Sequence, residues 1–388
     1  MFTKRLTLPS KIIYMKKNIG IVTWLGNGNY GTSLQAFALY KFISNQGYDC
    51  KYINEFNDKD WGLKSFIRSN IRHFYIWEWK EKRKIKKLKE ARKLLKLRSF
   101  LNNNIDIVYI DTPWQYRKLL VETDVFCVGS DQIWNAYYHF NPFFFLNFAG
   151  DVKRISYASS IGTKDFPIEY QEPIKHLLNH FSHISLRELA GCQAVENLTG
   201  RKNIKKVLDP TFLLSAKDWK DVSSQAQIEI NIPDDFILVY LIGDNKDYAK
   251  QVNSLKQKTG IKNILVIPSA ENADFQIDGA IVYHEAAVAE FIYLIAHASW
   301  VCTDSFHATA ISINLSKNFT EFLRFKDSDS TSQNSRIYDI LSTFGLMGQL
   351  YNKNSETWAQ PIDFSKIAEK LSKLREDSVS WLINAIEK

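Results

Sequence analysis

The stretch GIVTWLGNGNYGTSLQAFALYKFIS, residues 20–44, decides the fold that we expect for this chain. An apolar run at 19–25 predicts a buried first strand, and the pattern at 33–46 predicts the helix that follows it. Three glycines lie between them. Strand, glycine-rich loop and helix in this order are typical of the first unit of a doubly wound α/β domain.

The glycine loop has more than one interpretation. Gly26, Gly28 and Gly31 spell G-x-G-x-x-G, and Glu55 lies 24 residues after the last of them, which resembles an NAD-binding fingerprint. Residues between such glycines are usually small, because the pyrophosphate must approach the backbone, but here an asparagine and a tyrosine fill the last gap. The sequence leaves open whether the loop binds a dinucleotide, binds another anion or only turns the chain.

The composition fits a globular protein of two domains in a reducing compartment. The chain has 388 residues, of which 45% are apolar and 14% aromatic, enough for two cores of ordinary size. Its cysteines, at positions 50, 127, 192 and 302, are far apart, so we expect neither a disulfide framework nor a zinc site. We therefore predict a cytoplasmic protein that requires no metal.

One segment carries nearly all of the net positive charge. Residues 80–98 contain eleven Lys or Arg and two Glu, whereas the whole chain has a net charge of +8. The remainder is nearly neutral, unlike the basic face of a nucleic-acid-binding protein. We predict a basic helical insertion near 77–101. With Trp77 and Trp79 before its cations, it suits an anionic membrane surface, and the alternative is a solvated helix packed at a domain edge.

Strand and helix patterns alternate in both halves of the chain, which predicts an α/β protein with parallel sheets. Strands are expected at 49–56, 124–128, 154–159, 183–186, 236–242, 263–267 and 300–303. Helices of the second half are expected at 248–259, 286–298 and 306–315. We predict two Rossmann-like, doubly wound domains that face a cleft, 15–213 and 236–388, joined by a polar linker at 214–235. The segment 365–386 is either one long helix or a helix pair that packs back on the first domain.

Polar residues follow one of the strands of the first half. In FCVGSDQIWN, residues 126–135, an apolar strand ends and places Ser130, Asp131 and Gln132 at its carboxyl edge. Asp131 is therefore either the N-cap of a following helix or a general base held in the cleft.

A second strand end carries a histidine. In WVCTDSFHATAISINL, residues 300–315, the strand stops at Asp304, Ser305 is the expected N-cap, and Phe306 and His307 open a helix. Amides of a first helical turn and the helix dipole bind anions, and a histidine there can gain a proton when a phosphate arrives. The alternative is a histidine at the edge of the core.

Two arginines are candidates for holding a phosphate or carboxylate. Arg187 lies in ISLRE and Arg336 in NSRIYDIL. Guanidinium groups bind such anions through two parallel hydrogen bonds. The alternative for each is an ion pair at the surface.

These stretches, taken in order, resemble the polysaccharide pyruvyl transferase family. The matching pieces are NYGTSLQAFAL, VGSDQIWN, ISYASSIG, ISLRE, VLDPTFLL, TDSFHATAISI and NSRIYDILSTFGL, between about residues 26 and 346. The resemblance implies a fold similar to that of two-domain, GT-B type glycosyltransferases. It also implies transfer of pyruvate from phosphoenolpyruvate to a sugar of a surface glycan, with formation of a cyclic ketal. The upstream glycines are then incidental to the Asn-Tyr-Gly element.

The resemblance also implies roles for individual residues. His307 is the catalytic residue, phosphoenolpyruvate is the donor, and no further cofactor is implied. Asp131 is our candidate for the base that the sugar hydroxyls require. The residues that we expect to bind donor or acceptor are Asn29, Tyr30, Gly31, Thr32, Ser130, Gln132, Arg187, Asp304, Ser305, Phe306 and Arg336. One departure is Ala308, where the family usually has glycine.

The acceptor and the place of the reaction are expectations of the same kind. Family habit suggests galactose, N-acetylmannosamine or glucose in a lipid-linked oligosaccharide, so residues 80–98 would hold the enzyme at the inner face of the membrane. Three other functions stay open at this point: a glycosyltransferase of the same fold that uses a nucleotide sugar, a nicotinamide-dependent oxidoreductase, and a noncatalytic glycan-assembly or membrane-docking module.

Overall fold

The computed structural model describes residues 16–25, 28–56, 91–269, 271–329 and 332–388. The first part of the predicted basic helix, 77–90, and Gly26 of the glycine loop lie outside the described residues. The expectations that concern them therefore stay expectations.

A parallel sheet forms the first domain. Within the described chain its seven strands lie in the order β3-β2-β1-β4-β5-β6-β7, and each neighbouring pair is parallel. The strands are β1 (Asn18–Val22), β2 (Asp49–Ile53), β3 (Ile107–Val108), β4 (Val125–Val128), β5 (Lys153–Ser159), β6 (His183–Leu186) and β7 (Ile204–Lys206). The strand order reverses between β1 and β4. The carboxyl ends of these two strands therefore form the crevice in which such sheets bind ligands.

Helices of the first half connect these strands, and one of them lies in the predicted linker. They are α1 (Tyr30–Asn45), α2 (Ala91–Asn104), α3 (Pro113–Glu122), α4 (Gln171–Leu178), α5 (Leu189–Thr199) and α6 (Ala216–Ser223). Helix α6 opens with a capping box of Ser215 and Asp218, and its Trp219 is fully buried against Phe37 of α1. The prediction of a linker at 214–235 missed this helix, because a short amphipathic helix needs few apolar residues and the segment is polar.

The second domain repeats the plan with a smaller parallel sheet. Within the described chain its five strands lie in the order β10-β9-β8-β11-β12. They are β8 (Phe236–Tyr240), β9 (Asn263–Val266), β10 (Ile281–Val282), β11 (Trp300–Thr303) and β12 (Phe319–Glu321). The helices are α7 (Tyr248–Thr259), α8 (Val288–His297), α9 (Phe306–Asn314) and α10 (Ser335–Phe344). The switch point lies between β8 and β11. The predicted class, α/β with two doubly wound parallel sheets, is confirmed.

The C-terminal segment is one helix, α11 (Phe364–Glu387), which returns to the first domain. Lys17, just before β1, donates a hydrogen bond from Nζ to the carbonyl of Ile386 at 3.0 Å. The Ser378 hydroxyl accepts one from the amide of Leu208 at 3.0 Å. Of the two interpretations of this segment, the single long helix is the one observed.

A continuous hydrophobic core joins the two domains. Because strands buried on both faces alternate their side chains, Ile19 and Ile21 of β1 and Leu238 of β8 point into the same cluster. Ile237 and Val239 of β8 point instead into a separate cluster on the outer face of the second sheet. The crevices of both sheets are thus fixed against each other by shared packing.

Candidate functional site

Two helix amino ends meet where the two sheets face each other. Helix α1 follows β1, and its N-cap Asn29 accepts a hydrogen bond from the amide of Gly31 at 2.7 Å. Helix α9 follows β11, and its N-cap Ser305 accepts one from the amide of Ala308 at 3.5 Å. The remaining first-turn amides have no acceptor within their helix, and both dipoles present their positive ends here. Such a junction is suited to an anion.

The imidazole of His307 lies directly against the first turn of α1. A Cβ atom built on Gly31 would lie 2.2 Å from Nδ1 of His307, closer than any real contact. Only glycine therefore leaves room for the ring, which is 7% exposed. Gly31 was predicted as a binding residue. Its structural role is to let a histidine of the second domain pack on a helix of the first.

Asp209 links the histidine to the first domain. Its Oδ2 lies 3.7 Å from Nε2 of His307, and it accepts hydrogen bonds from Nη1 of Arg187 at 2.8 Å and from Oγ of Ser130 at 3.2 Å. Burial alone would raise the pKa of Asp209, but His307 and Arg187 lower it well below its ordinary value. A buried carboxylate thus holds the imidazole and a guanidinium together.

The sequence analysis assigned no role to Asp209, and none to Glu188 or Gln333, which contact the two arginines. Asp209 lies in VLDPTFLL, a stretch that we used only for the resemblance. The available signal was an aspartate before a proline just after β7. Because Asp-Pro is also a common turn, that signal did not distinguish a site residue from a turn residue.

Arg187 is part of the buried network, so its surface ion-pair alternative is wrong. Its Nε donates to Oε1 of Glu188 at 2.8 Å, and its Nη2 lies 3.7 Å from Oδ1 of Asp131. The guanidinium carbon lies 4.2 Å from the ring centre of Phe306, in the first turn of α9. Burial would lower the pKa of Arg187, but the surrounding carboxylates raise it further, so the group stays a cation.

Arg336 approaches the same place from α10. It is 8% exposed, and its Nη2 donates to Oε1 of Gln333 at 2.8 Å. With the Gln132 amide oriented to place its oxygen toward this arginine, that oxygen accepts from Nη1 at 2.9 Å. Burial and the nearby cations Arg187 and Arg324 lower the pKa of Arg336 to about 10. A buried guanidinium surrounded by amides and repelled by other cations gains stability when an anion binds.

Asp131 lies three residues after the end of β4, and bends and turns without a helix follow it, so its N-cap alternative is wrong. Its Oδ2 accepts a hydrogen bond from Oγ1 of Thr32 at 3.3 Å, and its Oδ1 accepts one from the amide of Gln132 at 2.9 Å. The carboxylate is 8% exposed. Thr32 thus orients the candidate base toward the junction of the helices.

Tyr30, predicted to bind substrate, instead packs between the domains. It is 1% exposed, its Oη donates to the carbonyl of Ala286 at 2.5 Å, and its ring stacks on Phe291 with 4.3 Å between centroids. A tyrosine in a loop gave no sign of this, because the partners come from the other half of the chain. Tyr30 fixes the start of α1 against the second domain.

Asp304 also supports the site rather than facing it. Its carboxylate accepts hydrogen bonds from the amides of Ile242 and Gly243 at 2.7 and 2.8 Å and from Oη of Tyr248 at 2.8 Å. These contacts tie the end of β11 to the end of β8, across the switch point. The predicted role in substrate binding is therefore replaced by one in positioning the turn that precedes Ser305.

Several buried polar atoms around this junction have no hydrogen-bond partner among the described residues. They are Nε2 of His307, Nη2 of Arg187 and Oε2 of Glu188. Native proteins pair nearly all such atoms, so a group of them at one place indicates a site for a polar ligand. Two nitrogens and one carboxylate oxygen fit a ligand that carries both an anionic group and a hydroxyl.

The described part of the basic segment forms α2 and turns toward the second domain. Arg92 pairs with Glu229 at 2.8 Å and with Glu285 at 2.7 Å. Lys93 is 1% exposed and donates from Nζ to the carbonyl of Pro268 at 2.9 Å. Both cations therefore contact residues beyond the first sheet, and the burial of Lys93 excludes it from the predicted membrane contact. For the other residues of the segment that contact stays a prediction. Among the described residues, no helix is both long and apolar enough to span a membrane.

Comparison with solved structures found several proteins of similar size. A glycosyltransferase from Rickettsia africae has a TM-score of 0.48 at 12% identity, with 96% of this chain and 95% of that one covered. The UDP-GlcNAc 2-epimerase from Neisseria meningitidis, bound to UDP-GlcNAc, has a TM-score of 0.48 at 10% identity, covering 95% and 100%. The UDP-GlcNAc 2-epimerase from Methanocaldococcus jannaschii has a TM-score of 0.45 at 12% identity, covering 92% and 100%. Comparison with curated protein sequences gave no significant match.

The sequence profile of one family covers most of the chain. It is described as polysaccharide pyruvyl transferase and matches residues 29–320. The matched region begins at the cap of α1 and includes Asp131, Arg187, Asp209 and His307. It therefore contains the histidine, the aspartates and the first arginine of the buried network. The chain is a transferase that belongs to the polysaccharide pyruvyl transferase family.

Proposed function

We propose that the enzyme transfers the pyruvyl group of phosphoenolpyruvate to two hydroxyls of one sugar, forming a cyclic ketal and releasing phosphate. The observation that carries this proposal is the junction of two helix amino ends around His307 and two buried arginines. Phosphoenolpyruvate has a phosphate and a carboxylate, with about three negative charges near neutral pH. Helix amino ends and guanidinium groups bind phosphates and carboxylates, so the site has groups for both anions of this donor.

The donor binds with its phosphate at the first turn of α9. The amides of Phe306 and His307 and the guanidinium of Arg336 hold the anionic groups. The capped turn at Ser305 keeps these amides in place. Because Arg336 is buried beside other cations, the incoming anion relieves their mutual repulsion.

The chemistry then needs an acid and a base. His307 donates its proton to the methylene carbon C3 of the donor, and C2 becomes an oxocarbenium-like centre. The first sugar hydroxyl bonds to C2 and gives its proton to Asp131. The C2–O bond breaks, its electron pair leaves with the phosphate, and the second hydroxyl bonds to C2. The second hydroxyl gives its proton to the departing phosphate, which leaves as hydrogen phosphate. The proton on Asp131 replaces the one that His307 gave to C3, so both groups return to their starting states. Positioned acids and bases contribute about 10²–10⁴-fold each.

Asp209 keeps this acid in position and does not itself react. Its Oδ2 lies 3.7 Å from Nε2 of His307 and limits the positions that the ring can take. The acceptor is a sugar of a polysaccharide precursor, with galactose, N-acetylmannosamine and glucose as the first candidates, and a lipid-linked form of it is the expected substrate. The basic segment at 80–98, apart from the buried Lys93, is the proposed contact with a membrane surface.

The test is turnover with defined donors. The wild-type enzyme is incubated with phosphoenolpyruvate and galactosides, N-acetylmannosaminides or glucosides. We expect released phosphate and a product heavier by one pyruvyl ketal. His307→Ala should lower this rate by at least about 10²-fold, and the exposed His284→Ala serves as the control. Turnover with UDP-sugars in place of phosphoenolpyruvate, or full activity of His307→Ala, would contradict the proposal.

A further inference from the structure

Two loops at the carboxyl edge of the first sheet expose large apolar side chains. The loop after β4 displays Tyr137 and Tyr138, which are 50% and 79% exposed. The loop after β5 displays Ile168, which is 86% exposed. Because β4 and β5 are parallel neighbours, both loops leave the sheet on the side where the site lies. We call these two tyrosines, together with the isoleucine, the aromatic platform.

Two contacts between the loops hold the platform in place. Oη of Tyr137 donates to Oδ1 of Asp165 at 3.1 Å, which joins the two loops. The ring of Phe140 stacks on that of Tyr170 with 4.8 Å between centroids, and this second contact joins them again. Aromatic rings that are exposed on an anchored loop lose little entropy on binding, unlike those on a free loop.

The platform is continuous with the proposed active site. The amide of Tyr138 donates to Oδ1 of Asn135 at 3.3 Å, and the side-chain amides of Asn135 and Gln132 are 2.9 Å apart. A Cβ atom on Gly162 would lie 2.1 Å from the terminal amide group of Gln132, so only glycine leaves room for this amide. Gln132 in turn contacts Arg336. The platform is thus connected to the proposed anion site through the side chains of Asn135 and Gln132.

We propose that the aromatic platform binds the second sugar of the acceptor, the pyranose ring next to the one that receives the ketal. This inference rests on the proposed function and adds where a longer acceptor lies. A neutral pyranose has an apolar C–H face and a rim of hydroxyls, which match a tyrosine ring with its Oη. The carboxylate of Asp165 lies beside the platform and can accept from a sugar hydroxyl. An anionic lipid surface would instead need clustered cations, which these three residues do not provide.

The experiment compares a disaccharide with a monosaccharide. Methyl β-lactoside and methyl β-galactoside are used as acceptors, with saturating phosphoenolpyruvate. For the wild type we expect a lower KM for the lactoside. Tyr138→Ala should raise the KM for the lactoside about tenfold and leave both the KM for the galactoside and the KM for phosphoenolpyruvate unchanged. Tyr138→Phe keeps the ring and should keep most of the preference. Trp114→Ala, at a site that is 69% exposed on α3, is the matched control.

Two results would overturn the inference. One is an unchanged KM ratio of lactoside to galactoside in Tyr138→Ala, and the other is an equal rise for both acceptors. If the wild type turns over neither glycoside, the proposed function has failed for these sugars. Saturation-transfer NMR with methyl β-lactoside then tests sugar binding at the platform without turnover. A signal that disappears in Tyr138→Ala but stays in Trp114→Ala supports the subsite. No signal, or one that is equal in both variants, refutes it.

Discussion

At the scale of the residue, the absence of a side chain at Gly31 determines where the imidazole of His307 lies. Gly31 and His307 are 276 positions apart in the sequence, and the ring occupies the space of a Cβ. The helical backbone of Gly31 would suit alanine equally well. The reason for glycine here is therefore close approach, not backbone freedom.

Gly31→Ala tests this contact. The new Cβ would lie 2.2 Å from Nδ1 of His307, so the imidazole must move by more than 1 Å to reach an ordinary contact distance. A misplacement of that size costs about 10²-fold in rate, and the overpacking costs about 1–3 kcal/mol of stability. Phosphate release and the urea midpoint measure the two effects. Gly348→Ala is the control, because its Cβ would meet only ordinary contacts at 3.6 Å. Wild-type turnover of Gly31→Ala would contradict the assigned position of His307.

Arg336→Met tests whether Arg336 binds the donor while lowering the stability of the protein without ligand. Its depressed pKa of about 10 reflects burial beside Arg187 and Arg324. Removing the charge should leave the melting temperature without ligand equal to or higher than that of the wild type. The rise in melting temperature that phosphoenolpyruvate produces should disappear. A thermal-shift series with and without the donor measures both, and a variant destabilised without ligand would show that the arginine is structural.

At the scale of the element, α9 is tied to β12 by a buried carboxyl group. Glu321 is fully buried and hydrogen-bonds through Oε2 to Oγ1 of Thr309, while its Oε1 has no partner among the described residues. Burial raises the pKa of Glu321 well above its ordinary value, and Asp304 adds to the effect. A neutral carboxyl group leaves the arginine charges of the site available to an anion.

Glu321→Gln tests this protonation through its effect on stability. The folded protein keeps a proton that the unfolded chain loses near pH 4, so the free energy of unfolding falls as pH rises above that value, by up to about 1.4 kcal/mol per unit. The amide cannot ionise. We expect equal stability of variant and wild type near pH 4.5 and a more stable variant at pH 7.5. Urea unfolding at both values measures the difference, with the exposed Glu369→Gln as control. A variant less stable than the wild type at pH 7.5 would show that Glu321 is ionised.

At the scale of the whole molecule, the two domains behave as one body because they share a core. Side chains of both sheets and of α1, α8 and α9 belong to one cluster. Helix α11 returns to the first domain, and α2 reaches the second through Arg92 and Lys93. The site lies within this contact, so its geometry depends on the domains staying together.

This arrangement predicts one cooperative unfolding transition. Lys93→Ala should lower its midpoint clearly, because it removes a buried stem and the hydrogen bond to the Pro268 carbonyl. Arg92→Ala should change the free energy of unfolding by no more than about 1 kcal/mol, since its ion pairs are half exposed. Urea unfolding followed by both fluorescence and circular dichroism measures this. Two separated transitions, or a larger effect from Arg92 than from Lys93, would be inconsistent with the shared core.

The amino-acid sequence was enough to predict most strands and helices and the carboxyl edges of the sheets as the place of the site. Strands at 183–186 and 300–303 and the helix at 248–259 are observed with the predicted bounds, because hydrophobic period and capping are local properties. Since parallel strands present their carboxyl ends together, Asp131 and Arg187 could be assigned to the carboxyl edge of the first sheet and His307 to that of the second. Local patterns were also enough for the resemblance to the family.

Which of these residues contact each other is known only from the tertiary structure. Asp209 contacts both Arg187 and His307. Gly31 leaves room for the imidazole of His307. Tyr30 packs in the core between the domains and not in the site. Each of these facts depends on partners more than 20 residues away in the chain. Burial, pKa and room for a side chain are set by those distant partners, so they arise only when the two domains pack together.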